Sequence, residues 1–548
     1  MEYLNKIRET VSNVAASVTS VLPGNPITRE FEPVTHVASA GPGLIWKIYS
    51  GYKKSNGKDV SIWFFDKKVI EKWFKSDKDV MYDCLKRGIS QLTRLRHPHL
   101  LTVEHPLEES RDINTFHSLR SSFSDTLAFC TEPVFASLAN VLGRCDNMPP
   151  MLPPELIDFH LEDIEIRHGL SEILKALSFL HSDIKMLHRN ICPESILITK
   201  TDCWKLAGFE FCISGVASLD KQTTYPFVEW DEGLTPYAQP PLNYLAPEVI
   251  FVGRYDPAAD IYSLGVLIYS VYNKGSAVNN YGNSLITRVC PALESALFPL
   301  AILKTPSPSV LRSIPDDLKE DFKMCLLFTS DLRPDAVQLA QVAYFRTDQL
   351  KVLQQLESLC QCTIMEKVEF LKLLDSYIEK FSKRLALWKL LSYLSAELEI
   401  QEMVPLTLPR ILDIAKRLTK SEFRKFVLPL VISTLSTTSA QVCYFCPADS
   451  IFLKRTYHYI LQVQAVILSN IDFLFSSCPE ADAKKHLLPF LYTKLDSDVP
   501  PVLDLCCKSI PNVHHLIDKT SMKTIILPKL LHLATDVANI SVTFLDHI

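Results

Sequence analysis

The sequence predicts a two-domain chain: a bilobal α+β domain, with a small strand-rich lobe before a larger helical one, then an all-α solenoid. Three observations carry this. Short β-branched and aromatic runs crowd residues 29–130. Helical periodicity takes over from about 130 to 345. Beyond 350 the texture is helical throughout, and Leu-Pro steps recur at Leu408-Pro409, Leu428-Pro429, Leu488-Pro489 and Leu527-Pro528. The last two steps lie 39 residues apart (527 − 488), close to the ~40–47-residue period of two-helix repeats.

Bulk properties agree. A chain of 548 residues exceeds one hydrophobic core, and 47% hydrophobic with 22% charged residues is an ordinary globular balance. The net charge of −5 gives no basis for nucleic-acid binding. Fifteen cysteines lack zinc-ligand spacing and fit a reducing cytosol. No apolar run reaches the ~18–20 residues of a membrane span.

At the start, residues 1–24 read as an amphipathic helix, with Leu4, Ile7, Val11, Val14, Val18 and Val21 on one face and Gly24-Asn25-Pro26 as the stop. It either packs on the following domain or gives residues 4–22 a membrane-surface contact. Strands are expected at 34–38, 44–49, 60–65, 100–104 and 127–132, with one helix at 80–95 among them and a polar loop at 110–126. Helices at 164–182 and 258–272 anchor the larger lobe. In the solenoid of residues 350–548, Pro is expected in first helical turns, where its missing N–H costs nothing. A polar stretch at 443–449 lengthens one repeat junction.

The chemistry-bearing strings then follow in order. Residues 38–45 read Ala-Ser-Ala-Gly-Pro-Gly-Leu-Ile, a glycine-poor turn after the first strand. Val60-Ser61-Ile62-Trp63 lies on the third strand, and Gly88 stands nine residues before His97-Pro98. Further on come His188-Arg189-Asn190-Ile191-Cys192-Pro193-Glu194-Ser195, Gly208-Phe209-Glu210, Ala246-Pro247-Glu248 and Arg333-Pro334. Together these landmarks resemble a protein kinase over residues 29–345.

The resemblance implies specific chemistry at each landmark, and most of it is missing. Trp63 stands where a lysine would neutralise phosphates, and Gly88 where its glutamate partner would sit. Asn190 replaces the proton-accepting Asp, Ser195 the metal-holding Asn, and Gly208 the metal-holding Asp. Removing one preorganised group costs about 10²–10³ in rate, so five replacements leave little of a kinase rate of ~1–100 s⁻¹. No intact catalytic set and no metal site are expected. The remaining nucleotide cleft is read as Ala40, Gly43, Ile45, Lys47 and Leu197, supporting weak ATP binding at most. Lys47 shares a face with Ile45 if the second strand alternates regularly. That leaves a rival reading, a weak atypical Ser/Thr kinase using Lys47 and Glu210. By contrast Leu92, His188, Phe209, Glu248, Asp260 and Arg333 match residues that hold a kinase fold together. Arg189 is read as a docking cation for a phosphate on Thr223 or Thr224.

A degenerate kinase domain before two-helix, HEAT-type repeats is similar to the SCY-one-like group of pseudokinases. Phe65-Asp66-Lys67-Lys68, the string Gln91–Pro98, His105–Asp112 and Thr131–Leu142 most resemble its coated-vesicle-associated branch. The resemblance implies a cytoplasmic scaffold, peripheral on clathrin-coated vesicles, the trans-Golgi network and endosomes. Its implied partners are clathrin and clathrin adaptor complexes, and it requires no cofactor. Leu100-Leu101-Thr102-Val103-Glu104 spells a clathrin-box pattern, but in the small-lobe core. A buried strand is the expected reading there, since such peptides bind when extended and accessible.

Overall fold

A computed structural model describes residues 25–110, 126–217, 223–275, 311–439, 451–497 and 499–535. The expected helix within 1–24, the stretch 111–125 and the junction at 443–449 lie outside the described residues. The chain divides into two compact units, Met1–Leu350 and Lys351–Ile548.

In the first unit a five-stranded antiparallel sheet is built from β1 (Phe31–Ala40), β2 (Trp46–Lys53), β3 (Asp59–Asp66), β4 (Val103–Glu109) and β5 (Thr126–Thr131). Its strand order is β1-β2-β3-β5-β4. Between β3 and β4 runs α1 (Lys75–Arg94), with Asp77 in its first turn and Arg94 in its last, each favourable to the helix dipole. β3 is buried on both faces. Trp63 and Phe65 face α1, while Val60, Ile62 and Phe64 join Ile27, Phe31, Ala128 and Cys130 in a separate outer cluster. The helix begins five residues before the expected position 80, in a polar turn that periodicity does not register. The strand expected at 100–104 begins only at Val103. Leu100 instead bridges Leu206, and the Leu101 N–H donates to the Leu206 carbonyl at 3.0 Å, tying the small lobe to the large one. Leu100 and Leu101 are each 1% exposed, so the clathrin-box string is core.

The larger lobe adds β6 (Val134–Ser137), α2 (Asp163–Ser178), β7 (Ile196–Thr199), β8 (Trp204–Leu206) and α3 (Pro257–Tyr272). A capping box between Glu162 and Glu165 starts α2. On that helix Gly169 lets the Trp204 ring lie flat, because a Cβ would come within 2.1 Å of it. α3 is apolar on most of its surface and runs through the core, the expected fate of such a helix.

The second unit is helical across its described residues. Its prolines correct the expectation only in part. Pro405 and Pro500 do sit in first helical turns, and Pro409 lies inside a helix. Pro429, Pro489 and Pro528 lie two residues beyond wide π-turns, at Phe423–Val427, Ala483–Leu487 and Met522–Ile526. A proline inside a helix removes an N–H and crowds the carbonyl four residues back. A π-turn at that place relieves both, so the motif marks mid-helix bulges. Two charge pairs are buried among these helices: Lys367 with Glu397 at 2.7 Å and Lys389 with Glu357 at 2.9 Å.

Candidate functional site

The cleft between the lobes of the first unit is lined by aromatic and aliphatic groups. Trp46, Trp63 and Phe129 form its roof, with Ile89, Leu92 and Leu101 behind. Leu197, Ala207 and Phe209 form its floor, and Gly41, Gly88, Glu194, Gly208 and Glu210 complete it. The rings interlock: Trp63 stacks on Phe129 at 5.0 Å, and Trp46 meets Phe129 edge-on at 5.2 Å. The Trp63 indole N–H donates to Thr131 Oγ1 at 2.9 Å, so the group replacing the lysine is satisfied inside the sheet. What remains open holds about one or two water molecules.

This lining revises the predicted cleft. Of Ala40, Gly43, Ile45, Lys47 and Leu197, only Leu197 borders it. Ile45 sits in a right-handed helical conformation, φ −75° and ψ −21°, just before β2. Regular alternation therefore starts at Trp46, and it is Trp46 that faces inward. Lys47 pairs with Phe64 on the outer face, beside His36. Among the described residues no lysine or arginine lines the cleft. Gly43 lies instead under Tyr237, whose ring would come within 2.4 Å of a Cβ there.

The glycine-poor turn is closed onto the site. A Cβ on Gly41, at φ +73°, would meet Trp46 Cδ1 at 2.6 Å, and the Gly41 N–H donates to the Glu194 carbonyl at 3.0 Å. An amide that could have held a phosphate is thus spent joining the lobes. On the other side Gly88 admits Glu210, since a Cβ at 88 would lie 2.9 Å from the Glu210 nitrogen. The Arg87 Nε–H donates to the Glu210 carbonyl at 3.2 Å.

Asn190, Cys192, Ser195 and Glu210 form one small network around Gly208. Asn190 Nδ2 donates to the Gly208 carbonyl at 3.0 Å and to Glu210 Oε2 at 3.3 Å. The Cys192 thiol donates to Asn190 Oδ1 and lies 3.3 Å from Ser195 Oγ. Gly208 is left-handed at φ +78°, and a Cβ there would sit 2.5 Å from Ser195 Oγ and 2.9 Å from Asn190 Nδ2. The place of the metal-holding carboxylate is occupied by its neighbours. Burial pushes the Glu210 carboxyl up to about 7.

The scaffold residues are densely partnered. Leu92 and Phe209 border the cleft, and the His188 ring meets Phe209 edge-on at 4.8 Å. His188 Nε2 donates to the Ala207 carbonyl at 2.8 Å, and burial lowers its pKa to about 4. Asp260 accepts the backbone N–H groups of His188 and Arg189, each at 2.8 Å, and the His181 ring at 2.9 Å. Burial alone would raise its carboxyl; those partners outweigh it and lower the pKa. Glu248 and Arg333 form a buried two-pronged pair with both bonds at 2.7 Å. Arg189 is not a free docking cation. It is half-buried, bonded to the Phe211 carbonyl and the Tyr255 hydroxyl, and stacked on the Tyr255 ring. Thr223 and Thr224 form a short pairing with Val216–Ala217 instead.

Sequence reasoning missed a segment that packs on the glycine-poor turn and on α1. Residues 231–240 are tied together by Gln239, whose amide bonds Asp231 and Leu234. Tyr237 stacks on Trp73 at 5.7 Å, and the Ala238 carbonyl accepts from the Cys84 thiol at 3.7 Å. Pro236, following Thr235, and the aromatic Tyr237 were the available signals.

The protein kinase domain family matches residues 35–345. Over 539 residues the chain is 38% identical to SCY1-like protein 2 of Homo sapiens, a match covering 98% of this chain and 54% of that protein. It is 25% identical to protein kinase-like protein SCY1 of Saccharomyces cerevisiae, across 88% of this chain and 64% of the relative. With the probable inactive serine/threonine-protein kinase scy1 of Dictyostelium discoideum it shares 24% identity over 71% of this chain and 39% of the relative. The chain spans about half the length of the human and mouse relatives it matches.

Proposed function

The chain belongs to the protein kinase family, in its SCY1-like pseudokinase branch, and on that premise we propose that it is a non-catalytic scaffold in clathrin-dependent vesicle traffic. Its binding partners are clathrin and clathrin adaptor complexes, and its place is peripheral, on coated vesicles, the trans-Golgi network and endosomes. Both assignments rest on the resemblance of its small-lobe strings. HEAT-type repeats supply the second protein-binding surface, by the same resemblance and the helical character of the second unit.

The observation that carries the non-catalytic part is the filling of the cleft. Trp46, Trp63 and Phe129 fill the space a nucleotide base and its phosphates would need, and among the described residues no cation lines it. With Gly208 enclosed by Ser195 and Asn190, no carboxylate stands where a metal would be held. A scaffold role of this kind requires no cofactor. Lys47, the cation of the rival kinase reading, faces away from this space.

Two measurements test the proposal. MgATP at millimolar concentration leaves the unfolding temperature of the full chain unchanged, whereas a site occupied at 100 times its Kd would add about 2.7 kcal/mol. A Mg²⁺-dependent shift overturns the non-catalytic reading. Immobilised full chain retains purified clathrin or adaptor complex over a buffer control; failure to retain either overturns the trafficking role for these residues.

A further inference from the structure

Four stretches of the second unit share one build. Residues 382–390, 419–427, 479–487 and 518–526 each run from a capping position through a single helical turn into a π-turn. Together they hold ten Lys and Arg against four Asp and Glu, while the rest of residues 351–548 holds twelve against sixteen. The unit is thus close to neutral, and its positive charge is gathered on these turns. Each π-turn adds a residue to the outward arc of its helix. Two neighbouring cations therefore face solvent at Arg424-Lys425, between buried Phe423 and Val427, and again at Lys484-Lys485, between buried Ala483 and Leu487.

The stretches stand side by side. Lys383 meets Glu422 at 2.6 Å and Arg424 meets Asp482 at 3.2 Å, each a cation of one stretch on an acid of the next. The Ser521 N–H and hydroxyl hold the Asp518 carboxyl below the usual carboxylate range, and Lys484 of the preceding stretch adds to this. Lys484 also holds Glu480 at 2.6 Å. All four acids are thereby engaged. Lys420, Lys425, Lys485, Lys519 and Lys523 are exposed and have no ion pair among the described residues.

We propose that this ladder of cations docks an extended acidic polypeptide lying across the four stretches. Packed helices stand about 8–10 Å apart, and an extended chain advances about 3.3 Å per residue. A carboxylate at every third position then meets one rung each. Among the described residues of the four stretches no large apolar side chain is exposed, which leaves nothing to enter a bilayer or to stack a base. The inference rests on the second unit being a protein-binding surface, and not on clathrin being what it binds.

The test uses the full chain and a fluorescein-labelled peptide of six Glu-Ser-Gly triplets. Its anisotropy is expected to saturate at micromolar chain in about 50 mM salt and to need at least tenfold more chain in about 300 mM. The same peptide with Gln for Glu does not bind. Lys425→Glu, Lys485→Glu and Lys523→Glu together weaken binding at least tenfold. Lys425→Gln, Lys485→Gln and Lys523→Gln, which bring no new charge, weaken it at least threefold and carry the test where the reversals disturb folding. Three reversals off the ladder, Lys372→Glu, Lys416→Glu and Lys508→Glu, leave it within twofold. No saturation, equal binding of the Gln peptide, or equal loss in the off-ladder control overturns the proposal. So does tenfold tighter binding of single-stranded RNA or of phosphatidylserine vesicles that the Lys→Gln set abolishes, which would give the ladder to another polyanion. Retention of clathrin is scored separately, so its failure leaves this result standing.

Discussion

Two polar networks sit in the first unit, and they have met opposite fates. Around Asp260 and Glu248 the charges persist, each with a full complement of partners. Around Gly208 the network is made of an amide, a thiol and a hydroxyl, with Glu210 its acidic member. The contrast shows what burial tolerates. An ion pair survives inside a fold only while both members stay, because removal of one strands the other. Lysine and glutamate positions 63 and 88 changed together, to Trp and Gly, and left no orphan. Glu248 and Arg333 changed together not at all.

Breaking that contrast at its strongest point gives the largest expected effect. Arg333→Met leaves Glu248 buried without its partner and should cost about 3–5 kcal/mol in urea unfolding of the first unit. A loss below 1 kcal/mol would show the pair to be dispensable. Glu210 comes next. Its folded-state pKa, about 7, lies above the usual 4.5, so the folded state holds the proton more tightly. Its contribution is fully present below about pH 4.5 and is lost as pH rises through 7, by roughly 3 kcal/mol. His188, depressed to about 4, works oppositely and loses stability as pH falls below 6.5. The difference between wild type and Glu210→Gln isolates the first term: the variant gains relative stability between pH 5 and 8. A flat difference across that range would place Glu210 in a wetter setting than the structure shows.

Gly208→Asp, which restores the metal carboxylate, should destabilise by about 1–3 kcal/mol, because the left-handed backbone and Ser195 both resist a side chain. It should not create MgATP-dependent stabilisation. Pairing it with Ser195→Gly, which clears the obstructing hydroxymethyl, sharpens the comparison; recovery of stability in the double variant locates the strain. Lys47→Ala, at a half-buried position on the outer face, is the smallest change, within about ±0.5 kcal/mol as for most surface substitutions, with no effect on any ATP response. A larger effect would put Lys47 back into the cleft.

Much of this was legible beforehand, and the failures are local. The order of strands and helices follows from hydrophobic period, and Trp63, Gly88, Asn190, Ser195 and Gly208 are placed by the resemblance to kinase landmarks. The cleft wall was misassigned at Ile45 because one residue in helical conformation resets the alternation of β2, a backbone event invisible to pattern. Phe129 was missed because its meeting with Trp63 is fixed by the β3–β5 register. Pro429, Pro489 and Pro528 misled for a related reason: proline signals a lost N–H, and a wide turn accommodates that as well as a helix start.

The segment pinned by Tyr237 has one more consequence. Cys84 lies beneath it, 3% exposed, its sulfur against the Ala238 carbonyl. Its alkylation by a maleimide would then time the lifting of that segment, so the molecule carries its own chemical clock for the parting of its lobes.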